Sequence, residues 1–172
     1  MNKLLYDTRH KIWLREELVE EVQYRQRRGE RGVFTNGCFD LLHLGHIRYL
    51  QEAHDLGDFL ILGLNSDESV RSLKGPARPL VPEAERAEIM AALTCVDYVT
   101  IFPETTASAL LNCLQPDVYV KGGDYASQEG APDPERLPEA SVVQAYGGVV
   151  RLIPYLPGHS TTELIAEIKD LP

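Results

Sequence analysis

Positive charge is scarce in this chain. Its 172 residues carry 17 Lys and Arg against 26 Asp and Glu, a formal net charge of −9. That balance argues against a nucleic-acid binder and against a protein held on an anionic membrane surface. Cysteine is also sparse. Cys38, Cys95 and Cys113 are too few for a disulfide framework, and a reducing cytoplasm is the simplest setting. No stretch is apolar for long enough to span a bilayer, and the opening MNKLLYDTRHKIWLREEL has no apolar signal region. Internal repeats are missing. No Ser or Cys nucleophile stands beside a base, and no Gly-x-Gly-x-x-Gly loop follows the first strand, which argues against a dinucleotide-dependent redox enzyme. What remains is the composition of a globular domain, 44% hydrophobic and 25% charged, with the length of one domain and an ordinary core.

The chain is organised around Val33 to Leu50, VFTNGCFDLLHLGHIRYL. Its apolar start stops at Asn36-Gly37, a strand-ending pair. A loop from Cys38 to Leu44 follows, and then Ile47, Leu50 and Ala53 recur at helical spacing. Strand, loop, helix is the opening unit of an α/β domain. The loop delivers His43 and His46 to the helix start, three residues apart and so on one helix face. Gly45 lies between them, where a missing Cβ lets a ligand approach the backbone. Unpaired N–H groups and the positive end of the helix dipole gather at such a terminus, which suits an anion, and one that gains charge during reaction. Two plainer readings stand beside this one. The pair could be surface histidines, or part of a zinc site with Cys38, which lacks an evident fourth ligand nearby; no metal site is expected.

Upstream, Ile12 to Arg28 should form an amphipathic helix with Leu14, Leu18 and Val22 on its apolar side and Gly29 as its stop. Residues 1–30 are taken as a helical extension before a domain spanning 31–172. Arg25, Arg27 and Arg28 complement the end of the helix dipole, or make a substrate patch. Downstream, apolar strands at Phe59–Leu64, Asp97–Phe102, Asp117–Val120 and Val149–Ile153 alternate with helices. The expected fold class is α/β, with a five-stranded parallel sheet covered by helices on both faces. Ligands of such sheets sit outside the carboxyl ends of the strands. Asn65 and Asp67, after the second strand, are therefore acceptor contacts or helix caps. Arg71 to Pro79 is expected to be an irregular basic loop whose Lys74 and Arg78 neutralise a polyphosphate. Arg86 lies near the buried side of a helix opened by Pro82, facing a phosphate or an internal partner. Cys113 is expected in the core. Lys121 ends the fourth strand as a phosphate contact or a surface lysine, and Gly122-Gly123 leave room for a base or ribose. Ala126 to Ala140, rich in proline and acid, should be an irregular excursion or lid. Ser160 and Glu163 form a capping box for the last helix, and Ser160, Thr161 and Thr162 at that terminus also suit a phosphate.

The run Asn36-Gly37-Cys38-Phe39-Asp40 followed by His43-Leu44-Gly45-His46 resembles the His-x-Gly-His signature of the nucleotidyltransferase superfamily of cytidylyltransferases and adenylyltransferases. NSDESVRSLKGPARPLVPEAER, VKGGDY and HSTTELI follow in order, and the whole is most similar to the heptose 1-phosphate adenylyltransferases of bacterial ADP-heptose synthesis. The resemblance implies a single Rossmann-like domain that joins ATP to a phosphorylated sugar, with Mg²⁺ and release of pyrophosphate. It implies a cytoplasmic homodimer with no nucleic-acid or membrane partner. His43, His46, Lys74 and Arg78 would be catalytic. Phe34, Thr35, Asn36, Gly37, Cys38, Phe39, Asp40, Gly45, Lys121, Gly122, Gly123, Asp124, Ser160, Thr161 and Thr162 would bind the nucleotide, with Asp40 orienting a histidine or a metal-bound water. Asn65, Asp67 and Arg86 would bind the acceptor. A cytidylyltransferase acting on glycerol 3-phosphate, and a nucleotide-binding regulatory module without turnover, are the alternatives.

Overall fold

Each apolar run becomes a strand. In the computed structural model, which describes residues 7–125, 132–133, 135–154, 156 and 158–171, these are β1 (Gly32–Gly37), β2 (Phe59–Asn65), β3 (Tyr98–Phe102), β4 (Val118–Gly122) and β5 (Val149–Ile153). All pairings are parallel, in the order β3-β2-β1-β4-β5. The chain winds outward from β1 through β2 to β3, then returns to the other side of β1 with β4 and β5. The order therefore reverses between β1 and β4, and the crevice beyond their carboxyl ends is where ligands of such sheets bind. The helices are α1 (Arg15–Arg27), α2 (Leu44–His54), α3 (Asp67–Lys74), α4 (Glu83–Ala91), α5 (Ser108–Leu114), α6 (Glu139–Ala145) and α7 (Thr161–Lys169).

Alternation along the strands divides the core into two layers. Val33, Leu60, Leu62, Val99, Val118 and Val120 face α2 and α4, against Leu50, Ala53, Ala87 and Met90. Phe34, Phe59, Ile61 and Tyr119 face the other way, against Leu18 and Val22 of α1, Leu110, Leu111 and Leu114 of α5, and Val143 of α6. All seven residues of β2 are buried, as expected of a central parallel strand. The N-terminal helix is thus a layer of the second core. It starts later than its periodicity indicates, because Ile12 bridges Val99 and the Trp13 N–H donates to the Val99 carbonyl at 2.9 Å. That pairing covers part of the edge of β3.

Two local expectations are corrected. Arg71 to Lys74 are the last turn of α3; the irregular segment begins at Gly75, whose φ of 94° ends the helix. Cys113 is exposed, because the inward stripe of α5 is Leu110, Leu111 and Leu114, and position 113 falls beside it. Two of the arginines at the end of α1, Arg25 and Arg28, have partners within the chain. Arg25 pairs with Glu30 at 2.5 Å and stacks over the Phe59 ring at 4.1 Å, and Arg28 reaches Glu30 at 3.4 Å. Part of the acidic excursion, 126–131 and 134, lies outside the described residues.

Leu14, expected on the apolar side, is the N-cap residue of α1 and is 68% exposed, whereas Leu18 is fully buried, so the two should respond differently to truncation. Leu18→Ala is expected to lower unfolding free energy by about 2–5 kcal/mol, and Leu14→Ala by under about 0.5 kcal/mol, both read by urea denaturation. Equal, small effects would mean that α1 is not part of the core.

Candidate active site

The loop after β1 sets the two histidines. Phe39 has a left-handed φ of 43°, uncommon for a bulky side chain and a local strain. This turn lays the Phe39 ring over Gly37, where a Cβ would meet it at 2.9 Å, and puts it 5.3 Å from the His46 ring. His43 is the N-cap of α2 with extended backbone, and His46 sits in the first turn. Their rings stack at 3.8 Å between centroids, 25° from parallel. The Nδ1 atoms of both are buried without a hydrogen-bond partner among the described residues. Burial, then the positive charge that a protonated His43 would bring, lowers the His46 pKa from 6.5 to about 4. Burial, then His159, lowers that of His43, against a smaller opposing effect of Glu163. Both imidazoles are therefore neutral at pH 7, each with one N–H to donate.

Behind the histidines the loop is held by two charged groups. Arg86 of α4 is fully buried. Its Nε donates to the Val81 carbonyl at 2.9 Å, and its terminal nitrogens donate to the carbonyls of Cys38 (2.6 Å) and Asn65 (2.9 Å) and to the Asp67 carboxylate (2.7 Å). The ends of β1 and β2 and the start of α3 are thereby tied to one planar cation. Asp40 accepts from Arg78 Nε at 2.6 Å and from the backbone N–H groups of Leu80 (2.8 Å) and Val81 (2.9 Å). Burial raises its pKa, but these donors outweigh it and hold the carboxyl below the usual range. The segment after Gly75 is in this way latched onto the histidine loop.

On the other side of the crevice, Lys121 of β4 is 8% exposed. Its ammonium donates to the Asn36 carbonyl at 3.2 Å and lies 4.8 Å above the Tyr125 ring. The Tyr119 hydroxyl donates to Asn36 Oδ1 at 2.8 Å, which directs the Asn36 amide nitrogen away from that pair. Gly122 pairs with Ile153, and a Cβ on Gly123 would meet Pro154 at 3.4 Å. The segment after β5 then returns to the histidines. Ser160 caps α7, accepting from the Glu163 N–H at 3.1 Å, and Thr161 Oγ1 donates to the Leu41 carbonyl at 3.2 Å. Loops after β1, β4 and β5 therefore converge at the point where strand order reverses.

Several residues singled out from sequence have other tasks here. Phe34 and Thr35 are fully buried; Phe34 packs on Tyr119, and the Thr35 hydroxyl is 2.7 Å from that of Tyr49. Their side chains shape the sheet and do not reach its mouth. Arg86 was expected to contact the acceptor, but its full burial and its four protein acceptors leave it no surface for one. Asn65 is likewise turned inward, donating to Ser69 Oγ at 2.9 Å. Asp67 accepts from Arg86, and the cap of α3 is Ser66. The Asp40 carboxylate, whose side chain is 1% exposed, faces Arg78, Leu80 and Val81, not a histidine. Lys74 is exposed at the end of α3, Cys38 and Gly37 are half-buried, and Thr162 is exposed beside the half-buried Ser160 and Thr161. The side chain of Asp124 lies outside the described residues. His159 is the residue sequence reasoning missed. Its ring is 6.4 Å from that of His43, and its signals in the sequence are its place directly before the cap of α7 and at the head of the HSTTELI run.

Among the described residues no group of three or more His, Cys, Asp or Glu side chains is placed to hold a metal ion. No described helix is long and apolar enough to cross a membrane. The fold thus gathers the two neutral imidazoles, glycine backbone, a helix N-terminus and Lys121 at the carboxyl ends of β1 and β4, and Lys74, Arg78 and Lys121 all act electrostatically on the Cys38 thiol.

Comparison with known proteins agrees with this geometry. The cytidylyltransferase-like family model matches residues 34–167. Proteins named bifunctional protein HldE from Syntrophotalea carbinolica and Geotalea uraniireducens are each 53% identical over 97% and 95% of this chain, respectively. The chain spans 32% of the length of each. A crystal structure of a lipopolysaccharide core biosynthesis protein from Thermoplasma volcanium matches with a TM-score of 0.59 and 29% identity, over 74% of this chain and 98% of that one. With the His-x-Gly-His loop at the switch point of a parallel sheet and a family match over most of its length, the chain belongs to the cytidylyltransferase-like family of nucleotidyltransferases.

Proposed function

We propose that this chain transfers AMP from ATP to a sugar 1-phosphate, a heptose 1-phosphate by its resemblance, giving an ADP-sugar and pyrophosphate. The observation that carries the reading is the stacked His43–His46 pair, half-buried and neutral, at the start of α2 beside the crevice. The relatives named HldE and the solved lipopolysaccharide core biosynthesis protein support a sugar acceptor. The family's description favours a second reading, CTP with a small phosphorylated alcohol.

In the proposed reaction an oxygen of the acceptor phosphate attacks the α-phosphorus of ATP. The bond from that phosphorus to the bridging oxygen breaks, and pyrophosphate leaves with the electron pair. A phosphate monoester has its second pKa near ~6, so the nucleophile is already a dianion at pH 7 and needs no general base. Catalysis is then positioning and charge stabilisation. His43 and His46 donate to the α-phosphate and bridging oxygens as charge builds. Lys74 meets the outer phosphates, Lys121 lies at the opposite wall, and Gly122–Gly123 admit the nucleoside. Arg78 is shared between the phosphates and Asp40. Mg²⁺ would come with ATP as its counter-ion; the carboxylate of the histidine loop, Asp40, is 1% exposed and turned to three N–H donors. Asp40 and Arg86 act indirectly, by holding the loops that carry the donors.

Pyrophosphate release should be fast with ATP and a heptose 1-phosphate and negligible with CTP and glycerol 3-phosphate; the reverse preference would establish the second reading. His46→Ala should lower kcat by about 10²–10³-fold while ATP still binds; near-normal turnover would remove the histidines from the mechanism. A third outcome concerns pH. With a folded pKa of about 4 against 6.5 unfolded, His46 weakens folding as pH falls through that window, because only the unfolded chain takes up the proton. ¹⁵N chemical shifts of the His46 ring should stay those of neutral imidazole down to about pH 5, while activity falls below about pH 6 as the acceptor phosphate protonates. Protonation of His46 near pH 6.5 would refute a neutral donor.

A further inference from the structure

We propose that the Asn36 side chain helps to select the acceptor, its amide N–H donating to an uncharged hydroxyl of the sugar and not to the nucleotide. The inference rests on the nucleotidyl-transfer reading for its ligand, and on the geometry at the end of β1 for its direction. It departs from the nucleotide contact that resemblance implies for this residue.

Asn36 is the next-to-last residue of β1, half-buried beside the point where strand order reverses. Alternation puts its side chain on the face of Phe34, the side covered by α1, α5 and α6. The orientation of its amide is fixed by two neighbours. The Lys121 ammonium lies 3.4 Å from one end of the amide, and an ammonium carries donors only, so that end is the oxygen. The Tyr119 hydroxyl donates to the same oxygen at 2.8 Å. Both neighbours belong to β4, so the amide nitrogen is turned away from β4. Among the described residues no acceptor meets that nitrogen, and it is not one of the buried atoms left without a partner. It is therefore a donor open to solvent.

The direction it faces is the β2 side. Asn36 pairs with Gly63, where a Cβ would stand 3.3 Å from the Asn36 Cβ, so β2 presents no side chain beside the amide. In the proposed reaction the nucleoside lies by Gly122–Gly123 of β4, and the phosphates lie by the histidines of α2. That helix packs on the opposite face of the sheet from Asn36. The acceptor is the part of the reacting pair left for an N–H turned away from both. One oriented, uncharged donor suits a hydroxyl oxygen. A site built around such a donor discriminates against ligands that lack the oxygen, because the donor is then left unpaired.

The test must separate this donor from the support Asn36 gives to Tyr119 and Lys121. Tyr119 is fully buried, and Asn36→Leu alone strands its hydroxyl; adding Tyr119→Phe removes both partners and spares the fold. Wild type, Tyr119→Phe, Asn36→Leu and the double variant are compared by calorimetric titration with heptose 1-phosphate, Mg·ATP and pyrophosphate. KM for heptose 1-phosphate is read from pyrophosphate release. Both leucine chains are expected to bind heptose 1-phosphate about 10-fold more weakly, with KM raised as much, and to bind Mg·ATP and pyrophosphate within about 2-fold of wild type. Tyr119→Phe, in which Lys121 still faces the amide oxygen, should lose no more than about 3-fold. Wild-type affinity for heptose 1-phosphate in the double variant would overturn the proposal. An equal loss for pyrophosphate would also overturn it, by showing that Asn36 acts through Lys121, as would a loss confined to Mg·ATP. Failure of the nucleotidyl-transfer reading looks different. A wild-type chain that binds both substrates but releases no pyrophosphate refutes that reading, and the titrations still decide Asn36. A wild type that does not bind heptose 1-phosphate overturns the sugar acceptor and this proposal together.

Discussion

A single buried cation organises this end of the molecule. Arg86 has no contact with water, and removing a guanidinium from water is costly unless its donors are all met. Here the carbonyls of Val81, Cys38 and Asn65 and the carboxylate of Asp67 meet them. Those groups come from three separate stretches of chain, so the ion can be satisfied only when the stretches are assembled. A lysine could not replace it, since one ammonium cannot span acceptors spread around a planar fork. The requirement to pair one charge thus fixes where the chain leaves β1 and β2. The histidine loop inherits that position.

A second constraint follows from the same arrangement. The loop that carries His43 and His46 is latched at Asp40, packed under Phe39 and covered by the α7 segment. The rings are consequently desolvated and lose their affinity for protons. A neutral imidazole is a weaker attractor of phosphate than a cation, but it remains a donor whatever the charge on the substrate. It also needs no reorganisation when the charge moves to the leaving group. In the proposed function the cations come from other elements: Lys121 from β4, Lys74 from the end of α3 and Arg78 from the segment after it. In a chain with a net charge of −9, the proposed function needs such cations at one end of the sheet, to attract an anion that the whole protein would repel.

The extent to which this was legible in the sequence depends on the range of the interactions. Strands and helices were readable because alternation and helical spacing are local. Phe59 to Leu64 has a pattern that only a strand buried on both faces satisfies, and β2 is buried throughout. The errors came from side chains whose fate depends on distant partners. Arg86 lies on the inner face of its helix in either reading, and whether a phosphate or a ring of carbonyls meets it depends on loops 21 and 48 residues away. Asp40 could have turned to a histidine or a metal-bound water, and Leu80 and Val81 captured it. Cys113 looked like core by its neighbours and was excluded by a rotation of one position around α5.

From the order of its residues alone, then, the protein had an α/β parallel sheet, a phosphate-seeking helix start and the family resemblance of its His-x-Gly-His loop. Each is encoded in short-range periodicity or in a contiguous motif. Tertiary structure alone decided which charged side chains face the crevice and which are consumed in building it. It also brought His159 beside His43, a meeting no local pattern announces. The physical reason is that a buried ion or a desolvated ring takes its state from the groups around it, and those groups are assembled only by the fold.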